Sequence, residues 1–176
     1  DGSFVFATAL EDLSAYAVTV QAQPTGPSQS CSVSNGSGTL AAANVTNVSV
    51  VCATNTYTVG GSLSGLATGA TVVLQNNAGD DLSLNANGSF TFATSLADLS
   101  AYTVTVQAQP TSRSQTCSVT NGSGTLVGAN VTTVSVTCTT NTFTVGGTVT
   151  GLAGSGLTLR NNGADDLAIS ADGAFT

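Results

Sequence analysis

AYTVTVQAQP, at residues 101–110, alternates apolar and polar side chains and returns almost unchanged as AYAVTVQAQP at residues 15–24. Tyr102, Val104 and Val106 share one face of an extended chain, and threonines occupy the other face. Such alternation predicts a half-buried β-strand, and its recurrence predicts a fold built from copies of one unit.

The repeat extends far beyond this strand. Residues 2–53 align without a gap on residues 88–139, at a constant offset of 86 residues, and roughly three-quarters of the positions are identical. The segment FTVGGTVTGL from Phe143 repeats YTVGGSLSGL from Tyr57 at the same offset. A fixed period of this length is typical of tandem arrays, in which one folding unit is copied along an axis.

Thr- and Asn-rich segments (CATNTYTV and CTTNTFTV) precede each new start and place the unit boundaries. Residues 1–53 are interpreted as the C-terminal part of one repeat unit, 54–139 as a complete unit, and 140–176 as the N-terminal part of the next. Each partial unit would expose an open sheet edge and half a core. We therefore expect either a window on a much longer polypeptide or subunits in which the tail of one copy completes the head of another.

Composition excludes several classes of function. Charged residues make up 6% of the chain, the formal net charge is −7, and Arg113 and Arg160 are its only cations. Nucleic-acid binding needs clustered Lys or Arg, so we expect none. No apolar run is long enough to cross a bilayer, which argues against membrane insertion. Without His or Lys, neither a Ser-His-Asp site nor a Schiff-base site can be built, so we expect no enzyme.

The complete unit predicts an all-β fold. Asn87–Gly88 and, in the next copy, Asp172–Gly173 are predicted to form tight hairpin turns, because Asn-Gly and Asp-Gly supply positive φ angles. The strand count and turn spacing predict tandem antiparallel β-sandwiches of immunoglobulin-like or transthyretin-like type. About seven strands are expected per unit, near residues 57–63, 71–76, 81–86, 89–93, 102–109, 116–121 and 131–138.

Two cysteines fall at the end of each unit, on strands of alternating pattern. Cys31 with Cys52 and Cys117 with Cys138 are predicted to form one disulfide per unit, either between neighbouring strands or across the sheets. The alternative, a zinc site, is disfavoured because the chain has neither His nor a CxxC motif. Structural disulfides persist in oxidising compartments, so we expect an extracellular or cell-surface protein.

The series TVGG, NN-x-x-DDL, NGSFTFAT, AYTVTVQAQP, TCSV and NGSGT resembles repeats of very large bacterial secreted and surface proteins. The segment VGGTVTGL…LTLRNN…ADGAFT is also similar to carboxypeptidase-regulatory-like and Cna-B-like sandwich modules. The resemblance implies a stalk, adhesin or filament and carries over no catalytic residues. Some Cna-B-like modules carry Lys–Asn isopeptide bonds, which this chain cannot form because it lacks Lys.

Acidic turns recur in NNAGDDLSLNANG and NNGADDLAISADG. Oxygen-rich turns suit Ca²⁺, so these turns are calcium candidates, although neither matches the EF-hand spacing. The alternative is that the acids cap turns and keep sheet edges soluble. A carboxylate pair for a glycosidase could draw on the same acids or on Asp98, but adjacent aspartates on a strand point to opposite faces. The calcium candidates are Asp80, Asp81, Asp165 and Asp166.

Three functions remain open at this point. The first is a structural filament or stalk whose partners are copies of itself or neighbouring repeats, head to tail. The second is a set of spacer repeats in a large bacterial adhesin whose ligand-binding domain lies elsewhere. The third is a carbohydrate- or calcium-binding module. No cofactor is expected apart from the calcium considered above.

Overall fold

The structure is a computed structural model that describes residues 2–176. These residues contain strands, turns and loops but no helix, and the predicted all-β class is confirmed. Across the described chain, therefore, no helix is long and apolar enough to span a bilayer. The chain divides into two compact units, one ending at Thr140 and the other covering Asn141–Thr176.

In chain order the strands are β1 (Ala15–Ala17), β2 (Gln29–Ser34), β3 (Ser37–Thr39), β4 (Ser49–Thr54), β5 (Thr56–Tyr57), β6 (Val59–Ser64), β7 (Val72–Asn76), β8 (Asp80–Leu84), β9 (Gly88–Thr91), β10 (Leu96–Ala97), β11 (Ala101–Ala108), β12 (Gln115–Thr120), β13 (Ser123–Thr125), β14 (Val131–Thr140), β15 (Gly147–Val149), β16 (Leu157–Asn161), β17 (Asp165–Ile169) and β18 (Gly173–Phe175).

Strands β5 to β14 form the complete sandwich. One four-stranded sheet has the order β13-β11-β7-β8, and the other has the order β12-β14-β6-β9. The seven predicted strands correspond to β6, β7, β8, β9, β11, β12 and β14, whereas the short strands β5, β10 and β13 were not predicted. One pairing departs from the antiparallel expectation, because β14 runs parallel to β6.

The core lies between these two sheets. The rings of Phe90 and Phe92 meet edge to face, with their centroids 5.9 Å apart. This arrangement aligns the positive ring edge with the negative ring face, and it adds to the gain from removing both rings from water. The largest fully buried side chains are Phe92, Leu74, Leu126, Val59, Val72, Val134, Val136 and Asn76.

The turn between β8 and β9 uses its Asn-Gly pair differently from a simple hairpin. Gly88 has a φ of 139°, and Gly173 has a φ of 147° in the corresponding turn. The side chain of Asn87 accepts a hydrogen bond from the Leu66 backbone N–H at 2.8 Å and donates one to the Leu66 carbonyl at 2.9 Å. Asn87 therefore fastens a neighbouring loop, while the glycine supplies the unusual backbone angle.

The two partial repeats keep the local pairings of the complete one. In residues 2–53, β1 pairs with β3 and β2 pairs with β4, in the registers of β11 with β13 and β12 with β14. In residues 141–176, β15 pairs with β18 and β16 pairs with β17, as β6 pairs with β9 and β7 with β8. We call these two segments the head (residues 2–53) and the tail (residues 141–176).

Candidate assembly interface

The disulfides have formed as predicted. Cys31 is bonded to Cys52 and Cys117 to Cys138, and the described residues contain no free cysteine. Each bond joins residues directly opposite each other on neighbouring strands, so it links strands within one sheet. Cys117 and Cys138 are buried among the core side chains. Such bonds indicate an oxidising, extracellular type of environment.

Apolar side chains of the head are exposed where the complete unit buries them. Phe6 is 64% exposed, whereas Phe92, at the same repeat position, is 1% exposed. Val50 is 42% exposed, and its counterpart Val136 is fully buried. The head therefore corresponds to one half of each sheet, and its inward side chains lack the strands that cover their counterparts in residues 56–140.

The tail corresponds to the other half of each sheet, and its inward side chains are also exposed. Val145 is 72% exposed, whereas its counterpart Val59 is fully buried. Phe143 is likewise exposed, whereas its counterpart Tyr57 is half-buried. A shallow hollow of about 580 Å³ opens in the tail, and its apolar lining includes Phe143, Val145, Leu159, Leu167 and Phe175.

Head and tail complement each other in the register of the complete unit. There, β6 lies beside β14, with Leu63 opposite Val136, and β7 lies beside β11, with Leu74 opposite Val106. The tail carries the counterparts of β6 and β7, and the head carries those of β14 and β11. Each segment thus supplies equivalents of the strands that, in the complete unit, lie beside the equivalents supplied by the other segment.

Glycines allow the closest of these approaches. A Cβ atom on Gly61 would lie 1.8 Å from the Val134 carbonyl oxygen, so β6 and β14 can meet only where this side chain is absent. Its counterpart in the tail is Gly147, where a Cβ would meet only the ring of Phe175, at 3.1 Å. Beside Gly147, the tail therefore has the space that a strand equivalent to β14 would need, and this space is open within the described residues.

A buried glutamine fastens the same region. Gln115 accepts a hydrogen bond from the Ala67 N–H at 2.9 Å and donates one to the Gly65 carbonyl at 2.9 Å. Its counterpart in the head, Gln29, donates to Thr54. The loop that Gln115 holds has its own counterpart in the tail, at residues 151–153.

The head is joined to the complete unit through the carboxylate of Asp98. One carboxylate oxygen accepts the Ser28 N–H at 2.6 Å, and the other accepts the Gly128 N–H at 2.8 Å. Beside them, the hydroxyls of Ser28 and Tyr57 are 3.1 Å apart, and the Asn55 N–H donates to the Ser28 carbonyl at 3.0 Å. We call this cluster the joint.

The joint favours the ionised form of the Asp98 carboxyl. The Ser28 N–H, followed by that of Gly128, lowers the pKa of this carboxyl below its usual range, although burial opposes the effect. The sequence pattern indicates Asp98 only as one of several acids that a glycosidase could use. The sequence feature that could have identified it is the recurrence of this aspartate: Asp12 occupies the same position in the preceding repeat, within the matching segments LEDLS and LADLS.

The two calcium candidates of the complete unit, Asp80 and Asp81, accept hydrogen bonds from neighbouring groups. One oxygen of Asp80 accepts the Thr94 N–H at 3.0 Å, which closes the turn after β9. Asp81 accepts a hydrogen bond from the Gln75 amide at 2.6 Å, directly across the β7–β8 hairpin. Both contacts are of the kind that acidic residues make when they support turns and strand edges.

In the tail, the Arg160 guanidinium pairs with Asp166 on the facing strand, and a second bond from Arg160 spans 2.6 Å. This contact lowers the pKa of the Asp166 carboxyl, but both side chains are exposed and the pair adds little stability. Asp165 lies opposite Asn161 at the end of the same hairpin. Residues 2–176 contain no group of three or more His, Cys, Asp or Glu side chains placed to hold a metal ion. Calcium binding stays an untested prediction.

No protein family, curated protein or solved structure matches this chain. The observations that bear on function are therefore the repeat, the exposed apolar side chains of head and tail, and the joint. The resemblance to bacterial surface repeats rests on the quoted sequence motifs alone.

Proposed function

We propose that this chain is a structural protein of an extracellular filament or surface stalk, built from tandem disulfide-stabilised β-sandwich repeats of Ig-like or Cna-B-like type. In this proposal, the tail of one copy completes the head of another by strand exchange. The observation that carries the proposal is the exposure, in both head and tail, of side chains whose counterparts are buried in the complete unit. Phe6 and Val145 are exposed, whereas their counterparts Phe92 and Val59 belong to the core of the complete unit.

Hydrophobic burial supplies the driving force for this completion. Fully burying one exposed Val, Leu or Phe side chain contributes about 1.5–3 kcal/mol of favourable free energy. Several such side chains of the head and of the tail would be buried together. The backbone edges would gain hydrogen bonds at the same time, as in other cases of strand addition. Together these gains can offset the entropy that two copies lose on association.

The geometry of the contact favours a filament over a closed dimer. Head and tail are different surfaces, so a head-to-tail contact leaves one head and one tail unsatisfied at the ends of every open assembly. A contact of this heterologous kind grows without limit unless its rotation closes a ring. The low content of charged residues and the disulfides of the head and the complete unit suit a fibre exposed to an oxidising exterior.

The substitution Gly147→Ala tests strand completion. We expect the wild-type chain to sediment as multiples of one copy, and the variant to sediment as single copies. The added methyl group would meet the backbone at Val48, just before β4, as a Cβ on Gly61 would meet the Val134 carbonyl, although within the tail it meets only the Phe175 ring. Sedimentation velocity of the oxidised chain measures both states.

The control for this test is Gly154→Ala. A Cβ on Gly154 has open space around it, so this variant should assemble like the wild type. Assembly of Gly147→Ala with wild-type affinity would contradict completion by β15. A wild-type chain that remains a single copy at every concentration would instead favour the alternative function described next.

The alternative is that the repeats are spacers in a large bacterial adhesin. The observation that favours it is the joint, because Asp98 and Ser28 fasten neighbouring repeats that are continuous in one chain. Under this alternative, covalent continuity replaces strand exchange and ligand binding belongs to another domain. In both cases we propose a mechanical and non-catalytic role outside the cell.

A further inference from the structure

We propose that the side-chain amide of Gln109 shields the outer edge of β12, and that it prevents this strand from pairing with the same strand of a second copy. The edge of a β-sheet carries unpaired N–H and C=O groups, which can recruit an extended strand from another chain. This inference goes beyond the proposed function and does not depend on it, because β12 and Gln109 both belong to the complete unit.

The two four-stranded sheets of the complete unit have four edge strands, and three of them are protected by shortness or by charge. β13 and β9 have three and four residues, so each offers few groups for pairing. β8 has five residues, and two of them, Asp80 and Asp81, place negative charge on the edge. β12 is the longest of the four, with six residues, and its sequence QTCSVT has neither a charged residue nor a proline. It therefore needs another kind of protection.

Gln109 supplies this protection by hydrogen bonding to the backbone of Cys117, in the middle of β12. Its side-chain oxygen accepts the Cys117 N–H at 2.7 Å, and its side-chain nitrogen donates to the Cys117 carbonyl at 3.0 Å. One residue of an added antiparallel strand would make the same two bonds, because the residues of a hydrogen-bonded pair exchange both N–H···O contacts. The amide of Gln109 therefore occupies the groups that an added strand would need.

The same contact is present in the head, which makes it a feature of the repeat. Gln23 accepts the Cys31 N–H at 2.7 Å and donates to the Cys31 carbonyl at 3.2 Å. In both repeats the glutamine is exposed and directly precedes a proline, within the matching segments QAQP. The amide therefore recurs together with the strand edge that it covers.

The partner that fits an unshielded β12 edge is β12 of a second copy. Two such strands, antiparallel and centred on Cys117, would pair about a two-fold axis and present the same groups to each other. The exposed side chains of β12 are neutral, so no like charges oppose the approach within the strand itself; they are Thr116, Ser118 and Thr120. In the wild-type chain the Gln109 contact is favoured, because pairing between copies loses translational and rotational freedom and the intramolecular contact does not.

The substitution Gln109→Ala tests the proposal, because it removes both hydrogen bonds and opens the edge at Cys117. We expect the weight-average mass from sedimentation to become about twice that of wild type at the same concentration, since a two-fold contact joins copies in pairs. Gln109→Asn should have the same effect, because its amide is one methylene shorter and falls short of the two backbone groups. The fold should tolerate both changes, since Gln109 is exposed.

Two further variants make the result specific. Gln107→Ala removes the same side chain from an exposed position on β11 and should sediment like wild type. Adding Ser118→Lys to Gln109→Ala should return the mass to the wild-type value, because a lysine on an edge strand opposes pairing without restoring the bonds to Cys117. Circular dichroism of the same oxidised samples verifies that each variant is folded.

The outcomes separate this inference from the proposed function. If Gln109→Ala and Gln109→Asn keep the wild-type mass at every concentration, the shielding role of Gln109 is overturned. If Gln107→Ala associates equally, or if Ser118→Lys does not reverse the association, edge pairing is not its cause and the inference is also overturned. If wild type stays a single copy while Gln109→Ala forms pairs, head-to-tail completion fails and the role of Gln109 stands.

Discussion

Replacing both Cys117 and Cys138 with alanine is expected to lower the free energy of unfolding of the complete sandwich by about 3 kcal/mol. The bond closes a loop between residues 21 positions apart, and its loss returns that conformational freedom to the unfolded chain. Because small domains are stable by only about 5–15 kcal/mol, this is a large share of the total. Denaturant titration followed by circular dichroism measures the change.

The matched comparison is the pair Cys31→Ala and Cys52→Ala. This disulfide joins the same strand positions, but it lies in the head, where the sandwich is incomplete and neither cysteine is buried. We expect its removal to leave the unfolding of residues 54–140 nearly unchanged. If removing Cys117–Cys138 were equally harmless, the disulfide would not be a principal support of the complete unit.

Substituting alanine for Gly61 is expected to destabilise the complete unit by about 3 kcal/mol. The new Cβ would lie 1.8 Å from the Val134 carbonyl oxygen, and this neighbour is backbone rather than a flexible side chain. To relieve the contact, β6 and β14 would have to separate and lose part of their parallel pairing. Thermal unfolding of the oxidised chain measures the effect.

Gly79→Ala is the control for this prediction. A Cβ at Gly79 has as its nearest neighbour the Asn77 carbonyl oxygen, at 3.9 Å, which is an ordinary contact. Stability close to wild type is expected, or a slight gain because alanine restricts the unfolded chain. Equal melting temperatures for Gly61→Ala and wild type would show that β6 and β14 do not approach as closely as described.

The alternation of apolar and polar residues predicted the long strands well, because one face of each strand is buried and the other is exposed to solvent. Strand β11, with Tyr102 and Val104 buried and Thr103 exposed, is the clearest case. Short strands such as β5 and β10 have two residues each, too few for any period to appear. The repeat and its paired cysteines predicted the disulfides directly.

The direction of β6 against β14 could not be predicted from pattern. Val59 and Val131 are distant in sequence, and alternation gives each strand a face but not a direction beside its neighbour. The joint was missed for a related reason. Asp98 follows a short apolar run and has the local pattern of a turn residue, whereas its partner Ser28 is 70 residues away.

The register of the proposed strand completion is the central claim, and cross-linking tests it most directly. In the complete unit, Thr137 and Ser64 are exposed neighbours on β14 and β6, and their counterparts are Val51 in the head and Thr150 in the tail. We predict that the variant Val51→Cys with Thr150→Cys gives a ladder of disulfide-linked multimers on a non-reducing denaturing gel. Pairing Val51→Cys with Thr148→Cys, two residues out of register, should give no ladder, because the distance exceeds disulfide reach. No ladder from the first pair, or equal ladders from both, would contradict completion of the head by the tail.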